Sequence, residues 1–203
     1  MVLVMKLLSE FPEISDKFYL AGGTALALKL GHRKSEDLDF FSENNFDAQR
    51  IVEIINERNG AVRTQIRQTI LGEIEDTKIS FILYSYPLLE PLQQQEKIYG
   101  ITLASTIDIA CMKLMALSQR GVKKDFFDVY ELMKIISMKE IKIALLKKYS
   151  AKYAGLYAVA RSLVYFSDAE ESLEPQSLNG TKWEEVKKYF IKNEKKNMDD
   201  LIS

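Results

Sequence analysis

The sequence predicts an α+β protein, with a mixed sheet and helices in the N-terminal half followed by a C-terminal helical bundle. Before Pro91, short apolar runs alternate with glycine, asparagine and acidic turns, which is typical of strands and short helices. After Pro91, glycine becomes scarce and apolar residues recur at helical spacing, as along Ile107–Leu117. We therefore expect an α/β domain over residues 1–95 and a helical domain over residues 96–203, with the join near residues 91–105.

The elements of the N-terminal half follow from local patterns. The buried run Phe18–Ala21 predicts a strand because it is short and apolar, and two glycines end it. Thr24–Leu30 consists of good helix formers, and Gly31 is placed to end that helix. The other predicted elements of this half are a strand at Leu38–Phe41, a helix at Asp47–Arg58, and two β-rich stretches, Val62–Ile74 and Thr77–Tyr84, joined by a turn at Glu75–Asp76.

The C-terminal half is expected to continue as helices. After the helical pattern through residue 136, further helices are predicted at Ile141–Tyr149, Tyr153–Phe166 and Trp183–Asn193. Tyrosines of this region are interpreted as packing residues, and a stacking surface for RNA bases is the alternative; they are Tyr149, Tyr153, Tyr157 and Tyr165.

Composition limits the class of protein. The 203 residues carry a net charge of −1, so no global basic field attracts nucleic acid, and any such contact needs a local patch. Cys111 is the only cysteine, which fits a reducing compartment without disulfides. Because Asp108 and Lys113 interrupt the longest apolar stretch, no segment is expected to span a membrane. We therefore expect a soluble, cytoplasmic protein with no membrane partner.

Asp37 and Asp39 form a D-x-D pair on the predicted strand. Side chains two apart on a strand point to the same face, so both carboxylates converge while Leu38 and Phe40 point into the core. Oxygen ligands on a rigid strand suit Mg²⁺ or Mn²⁺, which can be shared with substrate phosphates. The alternative is a pair of solvated acids, although aspartate is disfavoured inside strands.

Gly22, Gly23 and Thr24 lie where the first strand gives way to a helix. Glycine permits a positive φ and close approach of a ligand, and the helix N-terminus offers free N–H groups to an anion such as a nucleotide phosphate. Thr24 can cap the helix or donate its hydroxyl to a phosphate. Arg33, Lys34 and Ser35 could also bind phosphate, although a polar loop explains them equally well. The alternative for the glycines is a tight turn with a capping threonine.

Together these motifs resemble a known family. The pattern Gly23-Thr24, twelve residues, then Asp37-Leu38-Asp39 is similar to that of nucleotidyltransferases of the DNA polymerase β type. The segment AGGTALAL…HRKSEDLDFF resembles the corresponding sequence of the AbiEii/AbiGii family of nucleotidyltransferase toxins, and so does the later segment KLMALSQRGVKKDFFDVYEL. The resemblance covers most of the chain and implies a nucleotidyltransferase-type sheet.

The resemblance implies a role for each matching residue. Gly23 and Thr24 would bind the triphosphate, and Asp37 and Asp39 would hold the metal. Gly22 and Ser35 belong to the predicted nucleotide-binding set because of the turn and the polar loop described above, and not because of the resemblance. A second set would complete the catalytic site from the helical half, with Lys113 on phosphate and Asp125 or Asp128 beside it. The acceptor would be RNA, such as tRNA, or a protein side chain, and the protein would be a bacterial toxin with a cognate antitoxin.

One position departs from the family pattern. Such enzymes carry a third carboxylate on a following strand, and Thr77–Ile82 offers Ser80 there, which is a poor substitute as metal ligand or proton acceptor. The open replacements are Glu73, Glu75 or Asp76 from the hairpin and Asp125 or Asp128 from the helical half. Otherwise the fold binds nucleotide or a partner protein without transfer. A weaker alternative is a helical interaction protein in which D-x-D is incidental.

Two reactive residue types receive structural interpretations. His32 is the only histidine, and without a second histidine or cysteine nearby it does not indicate a zinc site. Cys111 falls on an apolar helical stripe and is expected to be a core residue.

Overall fold

The computed structural model describes residues 1–153 and 155–203, the side chains of residues 93 and 151–153 excepted. The chain divides into two compact units. Unit 1 comprises Met1–Ala25 and Ser35–Ser105, and unit 2 comprises Leu26–Lys34 and Thr106–Ser203. Across the described residues, no helix has the length and apolar character needed to span a membrane.

Unit 1 is built on a mixed sheet. In the described part of the chain it has seven strands: β1 (Tyr19–Ala21), β2 (Leu38–Ser42), β3 (Ala61–Ile66), β4 (Thr69–Ile74), β5 (Thr77–Leu83), β6 (Lys97–Ile98) and β7 (Ile101–Leu103). Their spatial order is β3-β4-β5-β2-β1-β7-β6. The pair β1–β2 is antiparallel, whereas β2–β5 and β1–β7 are parallel. The D-x-D strand β2 is therefore an interior strand.

The helices of unit 1 precede or connect its strands. They are α1 (Val2–Ser9), α2 (Pro12–Ser15), the start of α3 (Gly22–Leu30) and α4 (Ala48–Glu57). Helix α4 is amphipathic, with Ile51, Ile54 and Ile55 buried, because apolar residues recur at three- and four-residue spacing. Its N-cap is Asp47, whose side chain accepts a hydrogen bond of 3.1 Å from the backbone N–H of Arg50.

Aromatic packing fills the core of unit 1. Leu38 and Phe40 of β2 are fully buried, while Asp39 between them is half-buried, as the alternation of a strand requires. The rings of Phe40 and Phe81 stack with centroids 4.9 Å apart, and Phe18 meets Phe81 edge-on at 5.2 Å. This packing fixes the face from which Asp39 projects.

Unit 2 is helical. Besides the end of α3 it contains α5 (Thr106–Arg120), α6 (Lys123–Leu132), α7 (Met138–Tyr153), α8 (Leu156–Ser162), α9 (Ser167–Glu170), α10 (Trp183–Lys192) and α11 (Glu194–Ile202). Helix α7 is kinked at Ser150, where φ is 59°. Phe126 on α6 is the centre of an aromatic cluster, with its ring centroid 5.1 to 5.7 Å from those of Phe166, Trp183 and Phe190. The helices therefore share one apolar core.

The α+β class is confirmed, and the differences lie at element ends and in short strands. The stretch Val62–Ile74 is two strands, because the chain turns at Arg67, where φ is 51°. Strands β6 and β7 were not predicted, since they have two and three residues and depend on pairing with each other and with β1. Of the predicted helix Tyr153–Phe166, the structure gives α8; residue 154 and the side chain of Tyr153 lie outside the described residues.

Candidate active site

The glycine turn at the end of β1 lies directly against the D-x-D strand. Ala21 pairs with Asp39 across the antiparallel β1–β2 ladder, and Gly22 follows with φ of 69°. A Cβ atom on Gly22 would lie 3.2 Å from Oδ2 of Asp39, closer than side chains normally approach. Glycine is therefore required at position 22 both for its backbone conformation and for space beside the carboxylate.

Helix α3 begins at Gly22, so its first backbone N–H groups have no carbonyl one turn earlier in the same helix. Gly22 and Gly23 are both half-buried, which leaves part of this helix start open to solvent. Free N–H groups and the helix dipole favour an anion at such a point. The turn thus offers anion-binding groups next to the carboxylate of Asp39.

Thr24 ties the helix start to the loop that carries Asp37. Its side chain is buried, and Oγ1 hydrogen-bonds Oγ of Ser35 at 2.9 Å and donates to the backbone oxygen of Asp37. Because the hydroxyl proton is engaged by Asp37, Thr24 holds the D-x-D segment in place. Its predicted contact with phosphate, like that of Ser35, stays a prediction.

The two carboxylates of the D-x-D are half-buried and lie at the start of β2. Asp39 is the second residue of the strand, and Asp37 immediately precedes it. In the described part of the chain, neither carboxylate has an ion-pair partner. Two acidic groups thus remain open to a cation here, in contrast to the paired carboxylates of unit 2 described below.

Ser80 occupies the position beside Asp39 on the neighbouring strand. The parallel β2–β5 ladder places Asp39 opposite Ser80, and Oγ of Ser80 donates a hydrogen bond of 2.9 Å to Oδ1 of Asp39. The sequence-based alignment of Ser80 with the third-carboxylate position agrees with this register. The hydroxyl orients Asp39 but adds no negative charge.

The acidic residues of the β4–β5 hairpin are poor replacements for that carboxylate. Glu75 and Asp76 form the turn at the far end of the hairpin, and at about 3.3 Å per residue Asp76 lies about 13 Å along β5 from Ser80. Glu73 is held by Arg63, whose Nε lies 3.2 Å from Oε2. None of the three acidic residues that could replace the third carboxylate in unit 1 therefore lies beside Asp39 on a neighbouring strand.

The donor set fits a cation that is shared with a substrate. In the described residues, no group of three or more histidine, cysteine or acidic side chains could hold a metal by itself. Mg²⁺ commonly uses one or two carboxylates and completes its shell with water and phosphate oxygens. Asp37 and Asp39 provide such a pair, and the adjoining turn has groups for the phosphates.

In unit 2, Asp128 lies at the centre of a buried ion cluster. Its Oδ1 accepts hydrogen bonds from Nε2 of His32 at 2.7 Å and Nε of Arg33 at 2.6 Å, and its Oδ2 lies 2.6 Å from Nζ of Lys113. Nη2 of Arg33 also donates to Oδ2 at 2.8 Å, so the arginine is bidentate. Since an ionised carboxylate only accepts, Nε2 of His32 carries the proton.

Asp125 extends the cluster by one helical turn. Its carboxylate accepts from Nζ of Lys113 at 3.0 Å and from Nε of Arg120 at 3.0 Å. Asp125 and Asp128 are fully buried, and Lys113 is only 4% exposed. We refer to His32, Arg33, Lys113, Arg120, Asp125 and Asp128 as the Asp128 cluster.

Contacts within the cluster offset the effect of burial on the pKa values of Asp128 and Lys113. Burial by itself raises the pKa of the Asp128 carboxyl, but Lys113, Arg33 and His32 outweigh it and hold that pKa well below its usual value. Burial likewise lowers the pKa of Lys113, and Asp128 and Asp125 overcome this, so the net shift is upward. The ammonium of Lys113 is thus already neutralised by two carboxylates. Its predicted phosphate contact, and the catalytic roles predicted for Asp125 and Asp128, stay predictions.

Sequence reasoning missed His32 and Arg33 as members of this cluster. The interpretation of Arg33 as part of a polar loop is wrong, because its guanidinium is buried against Asp128. Both are buried, and both lie about 95 positions before the aspartate that they contact. The chain around Arg33 is also held by a β-bridge to Ser177. Asp128 itself was the signal that could have predicted the cluster. It lies among buried aromatic residues of α6, and a buried carboxylate requires a cationic partner. Cys111 is a core residue as predicted, and burial raises its pKa to about 12.

Known proteins are similar to this chain in sequence or in fold. An uncharacterised protein of Aquifex aeolicus (strain VF5) is 39% identical over 197 residues, covering 92% of this chain and 91% of that protein. A candidate nucleotidyltransferase from H. pylori shares the fold with a TM-score of 0.57 at 15% identity, covering 98% of this chain and 93% of that one. The nucleotidyltransferase toxin MenT4 of Mycobacterium tuberculosis H37Rv has a TM-score of 0.55 at 14% identity, covering 98% and 86%.

The segment with the glycine turn and the D-x-D also matches a family model. Residues 6–95 match the nucleotidyl transferase AbiEii toxin of type IV toxin–antitoxin systems. This range contains Gly22 to Asp39 and Ser80, and the sheet that carries them has the fold of the nucleotidyltransferases above. Over residues 6–95 the chain therefore matches the AbiEii family of nucleotidyltransferase toxins.

Proposed function

We propose that this protein transfers a nucleotidyl group from a nucleoside triphosphate to an acceptor, with a divalent cation held by Asp37 and Asp39. The observation that carries the proposal is the contact between the glycine turn and the D-x-D: the position of a Cβ on Gly22 is 3.2 Å from Oδ2 of Asp39. Phosphates and their metal must lie side by side, and this contact brings an anion-binding helix start next to a carboxylate.

Each residue of unit 1 has a part in this scheme. Gly22 and Gly23 present backbone N–H groups to the triphosphate, and Thr24 with Ser35 holds the loop in front of Asp37. Mg²⁺ or Mn²⁺ at the two carboxylates, when bound, supplies charge neutralisation for the phosphates. The acceptor oxygen bonds to the α-phosphorus, the bond to the β-phosphate oxygen breaks, and pyrophosphate leaves; the acceptor proton is released to water.

The biological role that we propose is supported by the family match. The match of residues 6–95 to the AbiEii toxin family supports a bacterial toxin that is controlled by a cognate antitoxin, and MenT4 is likewise described as a nucleotidyltransferase toxin. We propose RNA, such as tRNA, as the acceptor. The single cysteine supports a place in the cytoplasm.

Ser80 favours a second candidate, a nucleotide-binding module without transfer. Where a third carboxylate would help to hold metal or accept a proton, this chain has a hydroxyl that donates to Asp39. Titration with Mg²⁺ and each nucleoside triphosphate separates the two functions when pyrophosphate is measured in the same samples. Binding without pyrophosphate release would favour the module.

The decisive experiment incubates the protein with each α-³²P-labelled nucleoside triphosphate, Mg²⁺ and total RNA. Labelled RNA is expected with the wild-type chain, and Asp39→Asn is expected to lower labelling by more than about 100-fold, because it removes charge where the phosphates are neutralised. Asp199→Asn, an exposed acid on α11, is the matched control and should label normally. Full labelling by Asp39→Asn would exclude the proposed site.

A further inference from the structure

Unit 2 has an exposed surface that combines tyrosine rings with arginine. The packing interpretation holds for Tyr149, which is 3% exposed, but it is wrong for Tyr157 and Tyr165, which are 64% and 55% exposed. Tyr157 and Arg161 are four residues apart on α8 and therefore lie on the same helix face. Arg161 is exposed as well. Large rings in solvent beside a cation need an explanation other than core packing.

Arg161 and Tyr165 also line a pocket. Its volume is about 400 Å³, and its walls come from the end of α5, from α8 and from the turn before α9, all within unit 2. Leu117 and Val164 give it an apolar part, and Arg120 and Arg161 contribute positive charge. The pocket therefore has both an apolar and a cationic wall.

Arg120 is held in a defined orientation at this pocket. Its Nε and Nη2 donate to the buried carboxylate of Asp125 at 3.0 and 3.3 Å, while 56% of the side chain is exposed. A guanidinium fixed by a buried partner loses little further freedom when it contacts a ligand. The Asp128 cluster thus supplies the pocket with a preorganised cation.

The charges that face the pocket favour an anionic ligand. Among the described residues, two arginines and one acid, Asp168, line it, so cationic side chains outnumber acidic ones there. Aromatic faces next to cations are how proteins bind single strands, because every base has a π-face and every nucleotide has a phosphate. Tyrosine and arginine are also common where proteins bind proteins, so the choice of a nucleic acid rests on the cationic lining, which suits a ligand that carries a phosphate with every base.

We propose that Tyr157, Arg161, Tyr165 and Arg120 form a binding surface for single-stranded nucleic acid. The bases stack on the two tyrosines, and the phosphates lie along the arginines. Because all four residues belong to unit 2, the surface stands whether or not the D-x-D site of unit 1 transfers nucleotides. For a transferase that acts on RNA, it would hold the acceptor strand.

The test measures binding of the full chain to a fluorescein-labelled 12-nucleotide RNA of mixed sequence without self-complementarity, by anisotropy and without nucleotide or metal. Tyr165→Ala and Tyr157→Ala are each expected to weaken binding about tenfold, because a stacked base is lost. Tyr165→Phe keeps the ring and should bind like the wild type. Tyr99→Ala, at an exposed tyrosine of unit 1, is the matched control. Unchanged melting temperatures show that the variants fold.

Charge substitutions test the phosphate part independently. Arg161→Ala should reduce the slope of log K against log salt concentration by about 0.7, the value for one phosphate contact on a single strand. Asp168→Asn removes an acid that lines the pocket and should tighten binding, most clearly at low salt. The same oligonucleotide as DNA shows whether the 2′-hydroxyl contributes. Wild-type-like binding by the tyrosine and arginine variants would overturn the proposal, and so would a wild-type chain that binds neither oligonucleotide.

Discussion

Two pairs of aspartates in this protein illustrate opposite uses of the same side chain. Asp37 and Asp39 in unit 1 are half-buried, and in the described residues no cationic side chain pairs with either. Asp125 and Asp128 in unit 2 are fully buried and accept from a lysine, two arginines and a histidine. In the function that we propose, the first pair would hold a cation, whereas the second pair contacts buried cationic side chains within unit 2. Acidic residues at a similar spacing therefore differ in their burial and in their partners.

The largest expected effect is a difference in the free energy of unfolding between variants of the two pairs. Asp128→Asn should lower the free energy of unfolding by about 3–5 kcal/mol, because Arg33 and Lys113 would remain buried without their shared carboxylate. Asp39→Asn should change it by less than about 0.5 kcal/mol. Urea unfolding of both variants measures the difference. Equal stability losses would remove the distinction between a structural and a ligand-binding pair.

The pH dependence of stability should also identify Asp128 as a residue that stabilises the fold. The pKa of Asp128 is lower in the folded chain than in the unfolded one, so its contribution to stability is present above about pH 4 and is lost as the pH falls toward the folded pKa. The stability difference between wild type and Asp128→Asn should therefore narrow by up to about 1.4 kcal/mol per pH unit below about 4. Urea unfolding at pH 7, 4 and 3 measures it. A difference that stays constant over this range would contradict the assignment.

Thr24 tests whether the loop before Asp37 must be held for activity. Thr24→Val keeps the shape but removes the hydroxyl, which should cost about 1–2 kcal/mol and lower transfer more than the stability loss explains. The matched control is Thr77→Val, which removes a buried hydroxyl bonded to the backbone oxygen of Glu75. Stability and labelling are compared for the two variants. Equal labelling would show that Thr24 is structural only.

The smallest expected effect concerns Ser80. Ser80→Asp places a carboxylate beside Asp39, which should cost about 0.2–1 kcal/mol without metal because like charges then face each other across β2 and β5. Mg²⁺ should raise the melting temperature of this variant more than that of the wild type, since the cation would gain a third carboxylate. Ser80→Asn is the uncharged control. If Mg²⁺ has no greater effect on Ser80→Asp, the cation does not bind beside Asp39.

Local sequence patterns predicted the strands and turns of unit 1 well, but they did not predict contacts between residues far apart in the sequence. Gly22, Asp39 and Ser80 could be placed because glycine at a strand end, alternation along β2 and an acidic hairpin turn are readable within a few residues. The Asp128 cluster could not, since His32 and Arg33 meet Asp128 across about 95 residues with no local signal. The exposure of Tyr157 and Tyr165 was also missed, because tyrosine at helical spacing fits a core and a surface equally.

The β-bridge between Arg33 and Ser177 has a consequence for the order of folding. Unit 2 takes a strand-like segment from the early chain and closes it with residues near the end of the chain, so a large loop must form before these contacts stabilise it. During synthesis, Arg33 leaves the ribosome well before its partners Asp128 and Ser177 have been synthesised. We expect the segment His32–Lys34 to become protected from hydrogen exchange late in refolding, after the β4–β5 hairpin, whose contacts are local. Pulse-labelled hydrogen exchange measures that order, and early protection at Arg33 would contradict it.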